Sequence, residues 1–205
     1  QRVGSRRAVS RADAHGRTAP RWHHRDAAAA MAAARSRAGR RGGAGGGPLD
    51  RDGVLNMSLN GYVNQPGELR LISGTGAAMR ALREAGFLLC VVTNQSAIER
   101  GHWDDGRLHL IHDRLDDLLK HEDAQPDLVL ACPHVPWEGC DCRKPQPGML
   151  GLGARLLRSV EGFDTMRQRW KRGDHAPPHS LDVMVGDRRS DLEAGALYGV
   201  RSFWA

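Results

Sequence analysis

From residue 48 onward, short apolar runs alternate with longer stretches in which apolar positions recur every three or four residues. Phe87–Val92 (FLLCVV) is a continuous apolar run, as expected of a strand buried on both faces of a parallel sheet. Asp127–Ala131 (DLVLA), Leu181–Val185 (LDVMV) and Val200–Trp204 read as further strands, and Leu69–Ile72 as a short one. Between them lie helical patterns. Thr75–Ala85 places Ala78, Met79, Leu82 and Ala85 on one face and meets a stop at Gly86. Residues 104–121 carry Leu108, Ile111, Leu115, Leu118 and Leu119 on one stripe, with Asp104 or Asp105 near the start. Pro147–Leu157, opened by proline, and Ser190–Tyr198 complete the set. Strands alternating with helices predict an α/β domain around a parallel sheet. Residues 162–179 break the rhythm and read as a polar surface insertion.

Residues 1–47 have no such pattern. They are rich in Ala, Arg and Gly and almost free of large aliphatic side chains, so they bury too little apolar area to offset the entropy of ordering. The expectation is a disordered tail at 1–47 and a folded domain at 48–205. The tail's eleven Arg against two Asp give +9, and the whole chain is +6, so residues 48–205 carry −3. The basic charge thus belongs to the tail, and nucleic acid is not the expected partner of the domain. The rival reading from another class is an RNA- or partner-binding protein that uses this Arg/Gly tail beside an inactive domain. No run approaches 18 consecutive apolar residues, so no membrane span is expected.

Four polar clusters change the picture from fold to chemistry. Asp50-Arg51-Asp52-Gly53 leads to Asn56; Thr93-Asn94-Gln95-Ser96 follows FLLCVV; Gly186-Asp187 opens GDRRSD after LDVMV; Arg143-Lys144-Pro145 precedes a helix. Open parallel sheets bind ligands beyond the carboxyl ends of their strands, where the first three of these clusters fall. Asp50 and Asp187, with a backbone carbonyl near Asp52, suit Mg²⁺, a hard cation that takes carboxylates and phosphate oxygens. Cation and Lys144 would neutralise a phosphate so that the Asp50 carboxylate can attack it. Asp52 can protonate the leaving alkoxide and later deprotonate water. Thr93 and the amides after it can bond the phosphoryl oxygens.

A separate signal lies in Cys132-Pro-His134 followed by Cys140-Asp-Cys142: three thiols and an imidazole from one short loop, the closed tetrahedral set of structural zinc. Such a site leaves no open position for hydrolysis; it would stiffen the loop leading to Arg143 and Lys144. Cys90, inside an apolar run, reads as a small buried hydrophobe, and the cysteine usage implies a reducing compartment.

DRDGVLN, VVTNQSAIERG, CPH…CDCRKPQPGM and MVGDRRSDLEAG resemble the D-glycero-D-manno-heptose 1,7-bisphosphate 7-phosphatases of the haloacid dehalogenase-like superfamily, over about residues 49–203. The resemblance implies a Rossmann-like three-layer α/β fold with a minimal cap, the zinc loop partly serving in its place. It implies Asp50 as nucleophile, Asp52 as acid/base, Mg²⁺ on Asp50, Asp52 and Asp187, and Thr93 and Lys144 as stabilisers of the phosphoryl group. Arg51, Ser58, Leu59, Asn60, Gly61, Asn94, Gln95, Ser96, Arg143 and Arg188 would contact a small sugar phosphate. A monomeric, cytoplasmic enzyme of heptose biosynthesis is the expectation. The histidinol-phosphate phosphatases share the zinc loop and DRDG; GYV, QSAIERG and the PGM after RKP favour the heptose branch. One departure stands out. Relatives carry an apolar strand before the first Asp, whereas here GGAGGGPL fills that place, so the strand that should aim Asp50 is poorly specified.

Overall fold

The computed structural model describes residues 21–22, 45–158 and 175–205. Their strands are β1 (Arg21–Trp22), β2 (Gly46–Leu49), β3 (Leu88–Asn94), β4 (Leu128–Cys132), β5 (Val183–Gly186) and β6 (Arg201–Trp204). They form one sheet in the order β1-β4-β3-β2-β5-β6, parallel from β4 to β6, with the two-residue β1 antiparallel at one edge. The helices are α1 (Thr75–Glu84), α2 (Asp105–Lys120), α3 (Gly148–Arg158) and α4 (Arg189–Tyr198).

Alternation along β3 sets the layers. Leu88, Cys90 and Val92 join a cluster with Met149, Leu150 and Leu156 of α3 and Ala194 and Tyr198 of α4. Leu89 and Val91 point the other way, to Met79 of α1 and Ile111, Leu115 and Leu119 of α2. This is the three-layer arrangement the alternating pattern predicts. On α2 the stripe of Leu108, Ile111, Leu115 and Leu119 is fully buried, each such side chain contributing about 1.5–3 kcal/mol. Asp104 caps its start by accepting from the Arg107 N–H at 3.0 Å.

The central strand forms although its sequence is GGPL. Gly46 to Leu49 register in parallel with Leu88 to Val91, and Leu49 pairs with Val185 on the other side. Gly46 N–H donates to Asp182 Oδ1 (2.5 Å) and Asp50 N–H to the Val185 carbonyl (2.9 Å), so even-numbered amides face β5. Pro48 belongs to that set and has no N–H, so one bond of the β2–β5 ladder is lost there. The expected domain start at residue 48 therefore falls inside β2, and Gly46 and Gly47 belong to the sheet. The two residues of β1, paired with Ala131 and Leu130, also lie within the stretch expected to be a disordered tail. Apart from these two, residues 1–44 lie outside the described residues, as do 162–174 of the proposed insertion.

Leu69–Ile72 is not a strand. A 3-10 turn at Pro66–Glu68 precedes it, and only an isolated antiparallel bridge joins Leu71 to Asn56. Leu69 is buried as a lone anchor of the segment between β2 and α1, which explains an apolar signal without a ladder. This segment, with no helix longer than that turn, fits a minimal cap. No helix among the described residues is long and apolar enough to cross a membrane.

Candidate active site

The chain leaves β2 at the point where the sheet order reverses, β3 on one side and β5 on the other, so a crevice opens at the carboxyl end of β2. Asp50 is the first residue beyond that strand and is 5% exposed. Asp187 follows β5 and Asp191 lies in the first turn of α4. One carboxylate oxygen of each of Asp50, Asp187 and Asp191 lies within 4.8 Å of the others. Two glycines permit the approach. A Cβ on Gly53, which has a positive φ of 89°, would collide with the Asp187 carboxylate, and one on Gly186 would strike the Asp191 side chain.

Lys144 enters from the loop before α3. Its Nζ lies 2.8 Å from Asp50 Oδ1 and 2.7 Å from Asp191 Oδ1, and only 3% of the residue is exposed. Asn94, at the end of β3, clamps the backbone at this point: its Nδ2 donates to the Lys144 carbonyl (3.0 Å) and its Oδ1 accepts the Lys144 N–H (3.1 Å). Burial pushes the Asp50 carboxyl up to about 6; Lys144 opposes the rise and Asp191 adds to it. Burial works against charge on Lys144 too, but the two carboxylates hold its ammonium above its usual range. Burial, with help from Asp191, also raises Asp187 against the pull of Arg188. Three carboxylates against one ammonium leave the crevice short of positive charge. An all-oxygen donor set of this kind fits a hard divalent cation such as Mg²⁺.

Asp52 points elsewhere. Its Oδ1 accepts from Arg51 Nε (3.1 Å), Arg51 Nη2 (2.9 Å) and Asn56 Nδ2 (2.9 Å), and its Oδ2 from Arg51 Nη2 (2.9 Å) and Gln95 Nε2 (2.9 Å). Burial would raise its pKa, but the Arg51 charge and these bonds outweigh it and hold the carboxyl below its ordinary value. The third carboxylate of the cluster is Asp191, which the expected set of Asp50, Asp52 and Asp187 did not include. The Asp52 side chain is committed to Arg51, Asn56 and Gln95, which leaves its backbone carbonyl as the atom it can offer a cation. The sequence held a signal for Asp191, the last residue of GDRRSD. At the third position of α4 it accepts the Arg188 N–H through Oδ2 (3.0 Å), which fixes it beneath Lys144.

Two expected substrate contacts are also corrected. Arg51 is fully buried, with its guanidinium on Asp52 and on His112 Nε2 (3.1 Å), so it cannot meet a ligand. Gln95 is fully buried too; its Nε2 bridges Asp52 and Thr93 Oγ1 (2.8 Å), which makes it a positioning group. Thr93, also buried, keeps its own hydroxyl proton free to donate, since Oγ1 is the acceptor in that bond. Ser96 is buried with Oγ 3.0 Å from Tyr62 Oη. Ser58, Leu59, Asn60 and Gly61 form an exposed stretch, and Arg188 is an exposed side chain 4.0 Å from Asp187. Arg143 donates to the His134 carbonyl (3.0 Å), which ties it to the cysteine loop.

That loop brings Cys132, His134, Cys140 and Cys142 together, all four buried. The Sγ–Sγ separations are 3.4, 3.6 and 3.7 Å, and His134 Nδ1 lies 3.4 and 3.1 Å from Cys132 and Cys142. A tetrahedral zinc with ordinary Zn–S and Zn–N bonds has edges of about 3.6–3.8 Å; two of these separations match and three are shorter by up to about half an ångström, and the buried donor set of three thiols and one imidazole is compatible with zinc. The sulfurs are far beyond disulfide length. The other ring nitrogen of His134 faces Glu99 Oε1 at 3.8 Å, and Glu99 Oε2 accepts the Val135 N–H at 3.0 Å.

The parallel sheet and the carboxylate–lysine crevice at its reversal point define a phosphatase of the haloacid dehalogenase-like fold. Comparison with known proteins narrows the class. No protein-family model matches the chain. It is 43% identical over 146 residues to the D-glycero-beta-D-manno-heptose-1,7-bisphosphate 7-phosphatase of Pseudomonas aeruginosa, covering 71% of this chain and 72% of that one. With the enzyme of the same name from Escherichia coli K12 it shares 35% over 159 residues, 74% and 73% of the two chains. Its fold is similar to the crystal structure of D,D-heptose 1,7-bisphosphate phosphatase from B. bronchiseptica complexed with magnesium and phosphate, with a TM-score of 0.63 and 32% identity over 78% of this chain and 79% of that one. The chain belongs to the D-glycero-beta-D-manno-heptose-1,7-bisphosphate 7-phosphatase family, and so to the phosphoric monoester hydrolases.

Proposed function

We propose that the chain removes the 7-phosphate of D-glycero-D-manno-heptose 1,7-bisphosphate in a Mg²⁺-dependent reaction that passes through an aspartyl-phosphate on Asp50. The observation that carries this reading is the meeting of Asp50, Asp187 and Asp191 around the ammonium of Lys144. Asp50, Asp187 and Asp191, with the Asp52 backbone carbonyl, would hold the cation, which supplies charge neutralisation of the phosphoryl oxygens.

Asp50 attacks phosphorus through one carboxylate oxygen, and the bond from phosphorus to the sugar oxygen breaks. Lys144 and the Thr93 hydroxyl balance the negative charge that spreads over the phosphoryl oxygens. Asp52 gives the departing alkoxide a proton. Without substrate it is held ionised; a dianionic ester entering beside it raises its proton affinity, as a like charge does. In the second step Asp52 takes a proton from water, the water oxygen attacks phosphorus, and Asp50 is released with inorganic phosphate. Asn94 and Ser96 are engaged with the Lys144 backbone and with Tyr62 respectively; Arg143, Arg188 and the exposed stretch Ser58–Gly61 are the groups left to recognise the sugar and its other phosphate. The cysteine loop, closed by zinc, would hold Arg143 and Lys144 in register and take no part in hydrolysis.

The test is phosphate release with Mg²⁺ from heptose 1,7-bisphosphate anomers, histidinol phosphate and a 3′-phosphorylated oligonucleotide. The bisphosphate should turn over fastest, losing only its 7-phosphate. Preference for histidinol phosphate or the oligonucleotide would overturn the substrate assignment.

A further inference from the structure

His112 sits on α2 in the stripe formed by Leu108, Ile111, Leu115 and Leu119, 3% exposed, where an imidazole buried among leucines is costly unless bonded. It meets a second costly group. Arg51 is fully buried and permanently charged, and Nη1 lies 3.1 Å from His112 Nε2. A guanidinium has donors and no acceptor, so Nε2 must be the acceptor and the imidazole proton must sit on Nδ1. The other Arg51 nitrogens, Nε and Nη2, both turn to Asp52. A buried relay therefore runs from the helix through the guanidinium to the Asp52 carboxylate.

We propose that His112 is a positioning residue for proton transfer: by accepting from Arg51 it locks the guanidinium that orients the Asp52 carboxylate. The assignment rests on the phosphatase reading, since it gives Asp52 the leaving-group proton. His112 touches neither substrate nor the reacting atoms. Removing its acceptor leaves Nη1 a buried charged donor without a partner, and the guanidinium must turn to find another. Asp52 then keeps its bonds from Asn56 and Gln95 but loses the guanidinium brace that grips both its oxygens, while Asp50, Lys144 and the carboxylate cluster keep their partners.

Loss of that brace is distinguishable from general damage by the leaving group. A sugar alkoxide departs only with a proton, whereas p-nitrophenolate leaves without one. In His112→Leu, kcat for heptose 1,7-bisphosphate should fall at least about tenfold more than kcat for p-nitrophenyl phosphate, with KM for both little changed, a share of the 10²–10⁴ that acid–base catalysis supplies. His112→Gln, whose Oε1 can still accept from Arg51, should restore most of the difference. An equal loss with both esters, or no rescue by glutamine, overturns the proposal. The wild-type protein gives an independent reading. Its imidazole ¹⁵N shifts should show His112 neutral with the proton on Nδ1, and an Nε2–H tautomer or an imidazolium contradicts the relay even if the leucine variant fails to fold. A wild-type chain that releases phosphate from neither ester refutes the phosphatase reading, and this assignment with it.

Discussion

The ammonium of Lys144 stands 2.7 Å from the carboxylate of Asp191, as close as it stands to Asp50. Asp191 is thus a partner of both the lysine and the carboxylate cluster that suits a cation. In Asp191→Asn the affinity for Mg²⁺ should fall by roughly 10–100-fold, the usual cost of disturbing the groups around a metal site. The fold should be retained, because an asparagine oxygen can still accept the Arg188 N–H. Mg²⁺ titration of the initial rate measures the shift, and an unchanged titration curve would remove Asp191 from the site.

The raised proton affinity of Asp50 gives the metal site a pH dependence. Its ordinary value near 4 becomes about 6 in the folded, metal-free protein. Between those values the folded state holds a proton that the unfolded state has lost. The associated stability is present below about pH 4 and is lost as pH rises through about 6. A cation must displace that proton, so Mg²⁺ binds more weakly below pH 6. The rise in melting temperature on adding Mg²⁺ should grow as pH goes from 5 to 7. A rise that is constant across this range would contradict the assignment.

Zinc in the cysteine loop should act on Lys144 at a distance. Stripping it, or replacing Cys140 by Ser, should lower both the melting temperature and kcat while leaving Asp50 chemically intact. Glu99→Gln should leave zinc bound but speed its transfer to a chromogenic chelator roughly tenfold or more, because the carboxylate behind His134 orients the ring. Transfer at the wild-type rate would mean that Glu99 serves only the Val135 amide.

Pro48 is a defect in the central strand and therefore a place to add stability. Together with Gly46, Leu88, Cys90, Leu150 and Tyr198 it lines a small, partly open cavity, and it offers no N–H towards β5. Pro48→Val would supply both the donor and a branched side chain. We expect a gain of about 1 kcal/mol, since one net hydrogen bond and added burial exceed the entropy regained by the unfolded chain. Chemical denaturation measures it, and a loss of stability would show that the cavity cannot accept the valine.

The fold was legible where periodicity was strong. FLLCVV, DLVLA and the stripe of α2 appear as read, to within two residues, because each carries enough apolar side chains to dictate its own burial. β2 was the weakest reading. Its side chains are nearly absent, and it forms because Leu88–Val91 and Asp182 bond its backbone, a tertiary effect invisible in GGPL. Leu69–Ile72 failed for the opposite reason, since one buried leucine resembles a strand. At the site, residue types could be read from their place in the chain, as with Asp50, Thr93 and Asp187 at strand ends and Lys144 in the loop before α3. Their division of labour could not: that Arg51 and Gln95 turn inward to Asp52 is set by partners 61 and 43 positions away.

The central claim is that the Asp50 side chain becomes phosphorylated during turnover. Rapid quenching with substrate and Mg²⁺, followed by borohydride reduction and mass spectrometry, reads this directly, since an acyl phosphate is reduced to the alcohol. The account predicts homoserine at position 50, formed only during turnover and absent from Asp50→Asn, which should lose on the order of 10⁴ or more in kcat with its fold intact. Phosphate release without any label at position 50, or with the label on another residue, would contradict it.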